Sequence, residues 1–64
     1  MIVTNHDSRA ITRTTYNPDT LTLLVTFADG NGFRYNDVPP AVHTALIEAA
    51  SVGAYFNRNI RNQY

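Results

Sequence analysis

The stretch Leu21–Tyr35, LTLLVTFADGNGFRY, combines two strand patterns with a hairpin signal between them. Its first half alternates large apolar residues with others, and the apolar positions are Leu21, Leu23, Val25 and Phe27. The Asp-Gly and Asn-Gly pairs that follow supply the positive φ angles that tight antiparallel connections require. On the returning strand, residues 33–38, Phe33 and Tyr35 share one face and Arg34 lies on the other. This stretch therefore predicts an antiparallel hairpin.

A further strand is predicted just before this hairpin. Residues 8–16, SRAITRTTY, are rich in β-branched side chains and suit a pleated surface. The sequence NPDT follows, in which Pro18 fits the second position of a type I turn and Asn17 can accept from the turn backbone. The three strands predict an antiparallel β-meander.

Two short helices are predicted after the strands. Pro39 and Pro40 end the last strand, and Pro40 suits the first turn of a helix. Apolar residues then recur at helical spacing, at Val42, Ala45, Leu46 and Ala49. His43 lies outside this stripe and is expected to face solvent, while Gly53 predicts a break before a second helix with Phe56 and Ile60 inward. The predicted fold is α+β: a three-stranded antiparallel β-meander followed by two short C-terminal helices, in a single domain over residues 1–64.

The composition excludes several classes of protein. The chain of 64 residues has no cysteine, so disulfides and thiolate metal sites are ruled out. His6 and His43 lack metal-ligand spacing, and no paired carboxylates or nucleophile-base pattern is evident. We therefore expect a non-catalytic protein without a metal or other cofactor. No signal peptide or apolar run of about 20 residues is present, which predicts a cytoplasmic protein that does not enter the membrane.

Charge is distributed unevenly along the chain. The formal net charge is zero, but all five basic residues are arginine, and residues 52–64 contain Arg58 and Arg61 with no acidic residue. Arginine presents a planar fork of donors that suits phosphate and stacks on bases. A G+C-rich coding sequence would also favour arginine over lysine. The C-terminal segment is therefore a candidate contact surface for an anionic partner.

The order of several motifs resembles the KTSC domain family over about Ser8–Tyr64. The motifs that carry the resemblance are Ser8-x-x-Ile11, Tyr16-Asn17-Pro18-Asp19-Thr20-x-Thr22-Leu23, Phe33-Arg34-Tyr35, Val38-Pro39-Pro40-x-Val42 and Ser51-x-Gly53-x-Tyr55-Phe56-Asn57-x-x-Ile60-Arg61-x-x-Tyr64. The family occurs at the C-terminus of some lysyl-tRNA synthetases and as small stand-alone proteins of bacteria and phages. The resemblance implies RNA binding. Two positions that are often basic in the family are Val52 and Ala54 here.

Aromatic and arginine side chains together suggest how such a ligand would be held. Aromatic faces stack on bases and arginines bind phosphates in proteins that hold single-stranded nucleic acid. The leading hypothesis is therefore a module that binds RNA, or a nucleotide or other phosphate ligand. Its candidate contact residues are Tyr16, Arg34, Tyr35, Asn57, Arg58, Arg61 and Tyr64. Phe33, Tyr55 and Phe56 can instead fill the core, and Arg61 can instead bond a helix C-terminal carbonyl or pair with Asp37.

A protein-interaction module is the alternative hypothesis. An aromatic and arginine patch on a chain of zero net charge also suits a protein interface. Such a module would be a phage-type or accessory protein that docks on a host protein and inhibits it. Self-association into a homo-oligomer is compatible with both hypotheses, because the first and third strands leave open sheet edges and a chain of this size has a thin core.

Overall fold

The computed structural model describes residues 1–61 and 63–64, and within them four strands precede two helices. The elements are β1 (Ile2–Asn5), β2 (Ile11–Asn17), β3 (Thr22–Phe27), β4 (Gly32–Tyr35), α1 (Pro40–Glu48) and α2 (Val52–Asn59). The strands form one antiparallel sheet in the order β1-β2-β3-β4. The predicted α+β class and the two C-terminal helices are confirmed, whereas the predicted three-stranded sheet is wrong.

Strand β1 is the element that the sequence did not predict. It pairs with β2 over its whole length, from Ile2 opposite Tyr16 to Asn5 opposite Arg13. Three of its four residues are exposed, so burial imposes no alternation of apolar and polar side chains on it. Backbone pairing with β2 defines this strand, and the Nε of Arg13 also donates a 3.2 Å hydrogen bond to the Oδ1 of Asn5. The open sheet edges are accordingly β1 and β4, and the homo-oligomer stays a prediction.

Strand β2 contains an irregularity that turns side chains of both alternating sets toward the same core. Ile11, Thr14 and Tyr16 are all buried, although Ile11 is out of phase with the other two in a regular strand. The register with β3 shifts between Ile11 and Arg13, as at a β-bulge. The extra residue brings Ile11 to the same face as Tyr16. Strict alternation in the sequence could not place both residues inside.

The two β-turns follow the predicted turn chemistry. The side chain of Asn17 accepts a hydrogen bond of 3.0 Å from the backbone N–H of Asp19. Gly30 has a φ of +92°, which glycine adopts without the steric cost that a side chain would add. Between these turns, β3 turns Leu23 and Val25 into the core, as the alternation predicted.

The helices cover one face of the sheet. The buried apolar residues between the two layers are Ile11, Tyr16, Leu23, Val25, Val38, Leu46, Val52, Phe56 and Ile60. Ser51 caps the start of helix α2, because its hydroxyl accepts from the N–H of Ala54. Gly53 therefore lies inside the helix and not at a break. A Cβ at Gly53 would stand 3.2 Å from that of Ala10, which explains why a residue without a side chain lies here.

His43 faces the core and not the solvent, contrary to the prediction. It is 3% exposed, and its ring stacks on that of Tyr16 with centroids 4.3 Å apart and planes 9° from parallel. The Tyr16 hydroxyl donates a hydrogen bond of 2.6 Å to the carbonyl of Val38, just before α1. A planar imidazole packs on an aromatic ring as an apolar side chain would, so hydropathy alone misplaced it. Together these contacts hold α1 and its preceding loop on the sheet.

Burial also shifts the pKa values of Tyr16 and His43. Desolvation raises the pKa of Tyr16, which keeps its hydroxyl protonated as a donor. Desolvation lowers the pKa of His43, and the nearby His6 lowers it further. The Nε2 atom of His43 is buried without a hydrogen-bond partner, and protonation of the neutral ring would place a charge in the core. Within the described part of the chain, no helix is long and apolar enough to cross a bilayer.

Replacing Tyr16 tests the hydrogen bond to Val38. We expect Tyr16→Phe to lower the free energy of unfolding by about 1–2 kcal/mol, because the Val38 carbonyl is left buried without its donor. Urea denaturation of the two proteins measures this difference. Tyr64→Phe removes an exposed hydroxyl and is the matched control, with an expected change under about 0.5 kcal/mol. Equal effects of the two changes would contradict this account of Tyr16.

The depressed pKa of His43 predicts a loss of stability in mild acid. The unfolded chain takes up a proton on His43 near its ordinary pKa of 6.5, whereas the folded chain does so only at lower pH. The free energy of unfolding should therefore fall as the pH drops from 7.5 to 5.5. His43→Phe keeps an aromatic ring on Tyr16 and removes the proton site, so this variant should show a flatter pH dependence in urea titrations. An unchanged pH dependence would show that another group is responsible.

Candidate functional site

An open groove of about 680 Å³ lies where the β3-β4 hairpin, the segment before β2 and helix α2 meet. Four aromatic residues line it, and they are Phe27, Phe33, Tyr35 and Phe56. Polar groups also line it, contributed by Arg9, Asp29, Asn31, Asn57 and Arg61. We call this surface the aromatic groove. It combines apolar rings with several hydrogen-bonding groups, as ligand sites commonly do.

The aromatic rings form one connected cluster. Phe27 meets Phe33 and Phe56 edge to face, with ring centroids 5.5 Å and 5.4 Å apart. Tyr35 meets Phe56 in the same way at 5.5 Å. These are favourable geometries for aromatic quadrupoles, so the rings hold one another in place. The wall of the groove is therefore formed by rings that pack on one another.

Phe33 is the ring that remains open to solvent. It is 53% exposed, whereas Phe56 is 3% exposed in the core. The difference follows from position, because β4 is an edge strand and Phe33 lies near its hairpin end. Phe56 was considered as a core residue from the sequence, and the structure confirms that. The same interpretation of Phe33 is wrong, since about half of this large apolar residue is exposed to water.

Two contacts bring Arg9 to the groove. The N–H of Ala28 in the hairpin donates a 2.9 Å hydrogen bond to the carbonyl of Ala10, next to Arg9. On its other side Ala10 approaches Gly53 of α2 closely. Arg9 is therefore placed between the hairpin and the helix, and its side chain is exposed.

Arg61 reaches the groove from the end of α2. The amides of Ile60 and Arg61 both donate to the carbonyl of Phe56, at 3.0 Å and 2.9 Å. Ile60 is buried and anchors this turn, which leaves Arg61 exposed beside Phe56 and Asn57. Neither the pairing with Asp37 nor any other arginine-carboxylate ion pair occurs within residues 1–61 and 63–64. Arg9 and Arg61 thus supply two guanidinium groups to one concave surface.

The structure distributes the seven predicted contact residues over four places. Tyr35, Asn57 and Arg61 come together in the aromatic groove. Arg58 and Tyr64 line a separate, smaller groove beside Tyr55, because the chain turns at Ile60 after α2 ends. The remaining two residues, Arg34 and Tyr16, lie elsewhere.

Arg34 and Tyr16 do not belong to the groove. Arg34 is exposed on the opposite face of the sheet, where its pairing partner Leu24 is exposed as well. Tyr16 is 1% exposed beneath α1, and this burial contradicts its predicted role in stacking on a ligand. Its ring stacks on His43, and its hydroxyl donates to the carbonyl of Val38. A single surface that includes all seven residues is therefore wrong.

Sequence reasoning missed Arg9, Asp29 and Asn31. The signal that could have located them is the antiparallel register, because Ile11 pairs with Phe27. Continuing that register beyond the strand sets Arg9 against the hairpin loop that contains Asp29 and Asn31. The bulge in β2 hid this relation, since it shifts the pairing by one residue. Phe27 was predicted as an inward strand residue, and its place in the groove wall follows from the edge-on contact with Phe33.

A second concave surface lies beside the aromatic groove and contains Ser8. The Ser8 hydroxyl accepts from the backbone N–H groups of Ala10 and Ile11, at 3.3 Å and 3.5 Å. The Nε2 atom of His6 lies 2.9 Å from the hydroxyl of Thr14. The serine and the histidine are thus each engaged with another group. Ser8 acts as a turn residue before β2.

Comparison with known proteins identifies the family. The sequence profile of the KTSC domain matches residues 7–64. The chain belongs to the KTSC domain family. An uncharacterized protein of Stutzerimonas stutzeri is 43% identical over 49 residues, which span 77% of this chain and 69% of that protein. The crystal structure of a KTSC domain protein from Yersinia pestis superimposes with a TM-score of 0.92 at 26% identity, over 97% of this chain and 87% of that one. The predicted family resemblance is confirmed.

Proposed function

We propose that the aromatic groove of this KTSC domain binds a nucleotide unit, either free or within single-stranded RNA. The observation that carries the proposal is the half-exposed ring of Phe33, which lies in a concave surface that Arg9 and Arg61 also line. Exposed apolar surface that is rimmed by polar side chains in a concave site is typical of a ligand-binding groove. A base is a flat apolar partner whose attached phosphate suits the two arginines.

Stacking would supply the part of the affinity that does not depend on salt. A base stacked on an aromatic side chain contributes about 1–3 kcal/mol. Phe33 presents its exposed surface without a prior loss of order, because Phe27 already packs against its ring. Tyr35 adds a half-buried ring from the same face of β4. The groove therefore offers a preformed platform.

Phosphate contacts would supply the part that depends on salt. Arg9 and Arg61 line the groove and have no carboxylate partner in the described residues, so their donors remain available. Guanidinium groups bond phosphate through two parallel N–H groups. Asn57, which also lines the groove, can bond a base edge or a ribose hydroxyl. We further propose that the protein is non-catalytic and cytoplasmic.

Two double variants with the same change in charge test the proposal. Arg9→Ala/Arg61→Ala removes the cations of the aromatic groove, whereas Arg34→Ala/Arg58→Ala removes two cations that lie elsewhere. Each variant carries a net charge of −2 in place of zero. Binding of a labelled single-stranded RNA is followed by fluorescence anisotropy at about 50 mM salt. We expect the groove variant to bind at least about 10-fold more weakly and the control to stay within about 2-fold of the native protein.

The same experiment measures how the affinity depends on salt and whether the ligand is a free nucleotide or RNA. Loss of two phosphate contacts should reduce the slope of log affinity against log salt by about 1.4 for a single strand. Competition by mononucleotides distinguishes a free nucleotide from RNA as the ligand. Absence of any binding at low salt would contradict the proposal, and so would equal losses in the two double variants.

A protein-docking function is the second candidate, and one observation favours it. The sheet face away from the helices exposes Val3 and Leu24 at 57% and 39%, with Arg34 on the same face. Exposed apolar side chains beside arginine are typical of protein interfaces. If this function is correct, a bacterial host protein captured by the native chain should persist after nuclease treatment and be lost with Leu24→Lys. Loss of every partner on nuclease treatment would contradict it.

A further inference from the structure

Asp29 is the acidic residue in the lining of the aromatic groove, among the residues that the structure describes. Its carboxylate is held in one orientation by Asn31. One oxygen accepts the backbone N–H of Asn31 and the other accepts its side-chain amide, each at 3.0 Å. The loop is closed by the N–H of Phe27, which donates to the carbonyl of Asn31 at 2.8 Å. The carboxylate is therefore fixed by the hairpin before a ligand binds.

This carboxylate retains hydrogen-bonding capacity. A carboxylate accepts at about four lone-pair positions, and Asn31 occupies one on each oxygen. Asp29 is exposed, and it forms no ion pair with an arginine of the described chain. One acceptor position on each oxygen thus remains free. Both donors of Asn31 approach the carboxylate from one side, so the free positions on the two oxygens point apart. A ligand with two neighbouring N–H groups can donate both of them to one of these oxygens.

A negative charge in this lining needs a chemical explanation if the ligand carries phosphate. Asp29 would repel an anionic ligand unless the ligand donates hydrogen bonds to it. Among the four RNA bases, guanine alone presents two adjacent donors on one edge, at N1 and at the 2-amino group. Adenine, cytosine and uracil place an acceptor beside each donor on that edge, and a carboxylate repels the acceptor. Asp29 therefore favours one base chemically.

We infer that Asp29 makes the aromatic groove selective for guanine nucleotides. The inference rests on the proposed nucleotide-binding function and adds a residue that specifies the base. The base lies on Phe33, its N1–H and 2-amino groups donate together to one free oxygen position of Asp29, and its phosphate contacts an arginine of the groove. The hairpin that forms the end of the groove thereby determines which base is held.

Competition by mononucleotides tests the inference with the protein intact. The competitors titrated against the labelled RNA are GMP, AMP, CMP, UMP and IMP. IMP is included because it lacks the 2-amino group of guanine. We expect GMP to bind roughly 10-fold or more tightly than the other three bases, with IMP weaker than GMP. Asp29→Asn preserves an acceptor for the turn but replaces one oxygen with a donor. This variant should reduce the preference for GMP to about 3-fold or less.

Asp19→Asn is the matched control. Asp19 lies in the other β-turn and outside the groove lining, and it makes the same change in charge. The control should keep the preference for GMP, and thermal melting checks that both variants fold. If all nucleotides bind the native protein equally, the guanine inference is wrong and the proposed function stands. If neither the labelled RNA nor any mononucleotide binds, the proposed function itself fails. A preference for GMP that survives Asp29→Asn would show that another residue selects the base.

Discussion

The edge-on packing of Phe56 against Phe27 and Tyr35 is the contact on which the rest of the molecule depends. It joins helix α2 to strands β3 and β4 through one buried ring. A chain of 64 residues without disulfides can bury only a small core, so a single aromatic side chain supplies a large share of the contact between layers. The same ring sets the position of Asn57 and Arg61, which follow it in the chain. The contact that stabilises the fold therefore also determines the geometry of the groove.

A second aromatic contact holds helix α1 against the sheet. Tyr16 stacks on His43 and donates to the carbonyl of Val38, so one residue of β2 fixes both the helix and the loop before it. This use of Tyr16 and Phe56 in the interior leaves Phe33 on the surface. An exposed ring in a concave surface that two arginines also line is typical of a ligand-binding groove. The difference in exposure between Phe33 and the two interior rings marks the aromatic groove as the candidate contact surface.

The sequence predicted the elements that depend on local chemistry. Alternation in β3, the Asp-Gly turn and Pro40 at the start of α1 each act over a few residues, and each has the predicted structure. Strand β1 was missed because its exposed side chains carry no periodic signal. His43 was misplaced because hydropathy treats an imidazole as polar, although its ring packs on Tyr16. Predictions failed where a tertiary contact outweighed the local pattern.

The candidate site was predicted only in part for a similar reason. Tyr35, Asn57 and Arg61 are brought together as expected, since β4 and α2 pack on each other. Arg58 and Arg61 are only three residues apart, yet the turn after α2 separates them. Arg9 joins the groove through a backbone hydrogen bond between distant segments, which spacing along one helix or strand cannot indicate. Register between strands was the missing information.

An NMR titration of the isotopically labelled protein with a single-stranded RNA tests most directly whether the aromatic groove is the ligand site. Chemical-shift changes map the contact surface residue by residue without altering the protein. We predict that the largest changes fall on residues 9–10, 27–33 and 56–61, which surround the groove. Changes centred on Val42, Tyr55 and Tyr64, or on the outer face at Val3 and Leu24, would contradict the account.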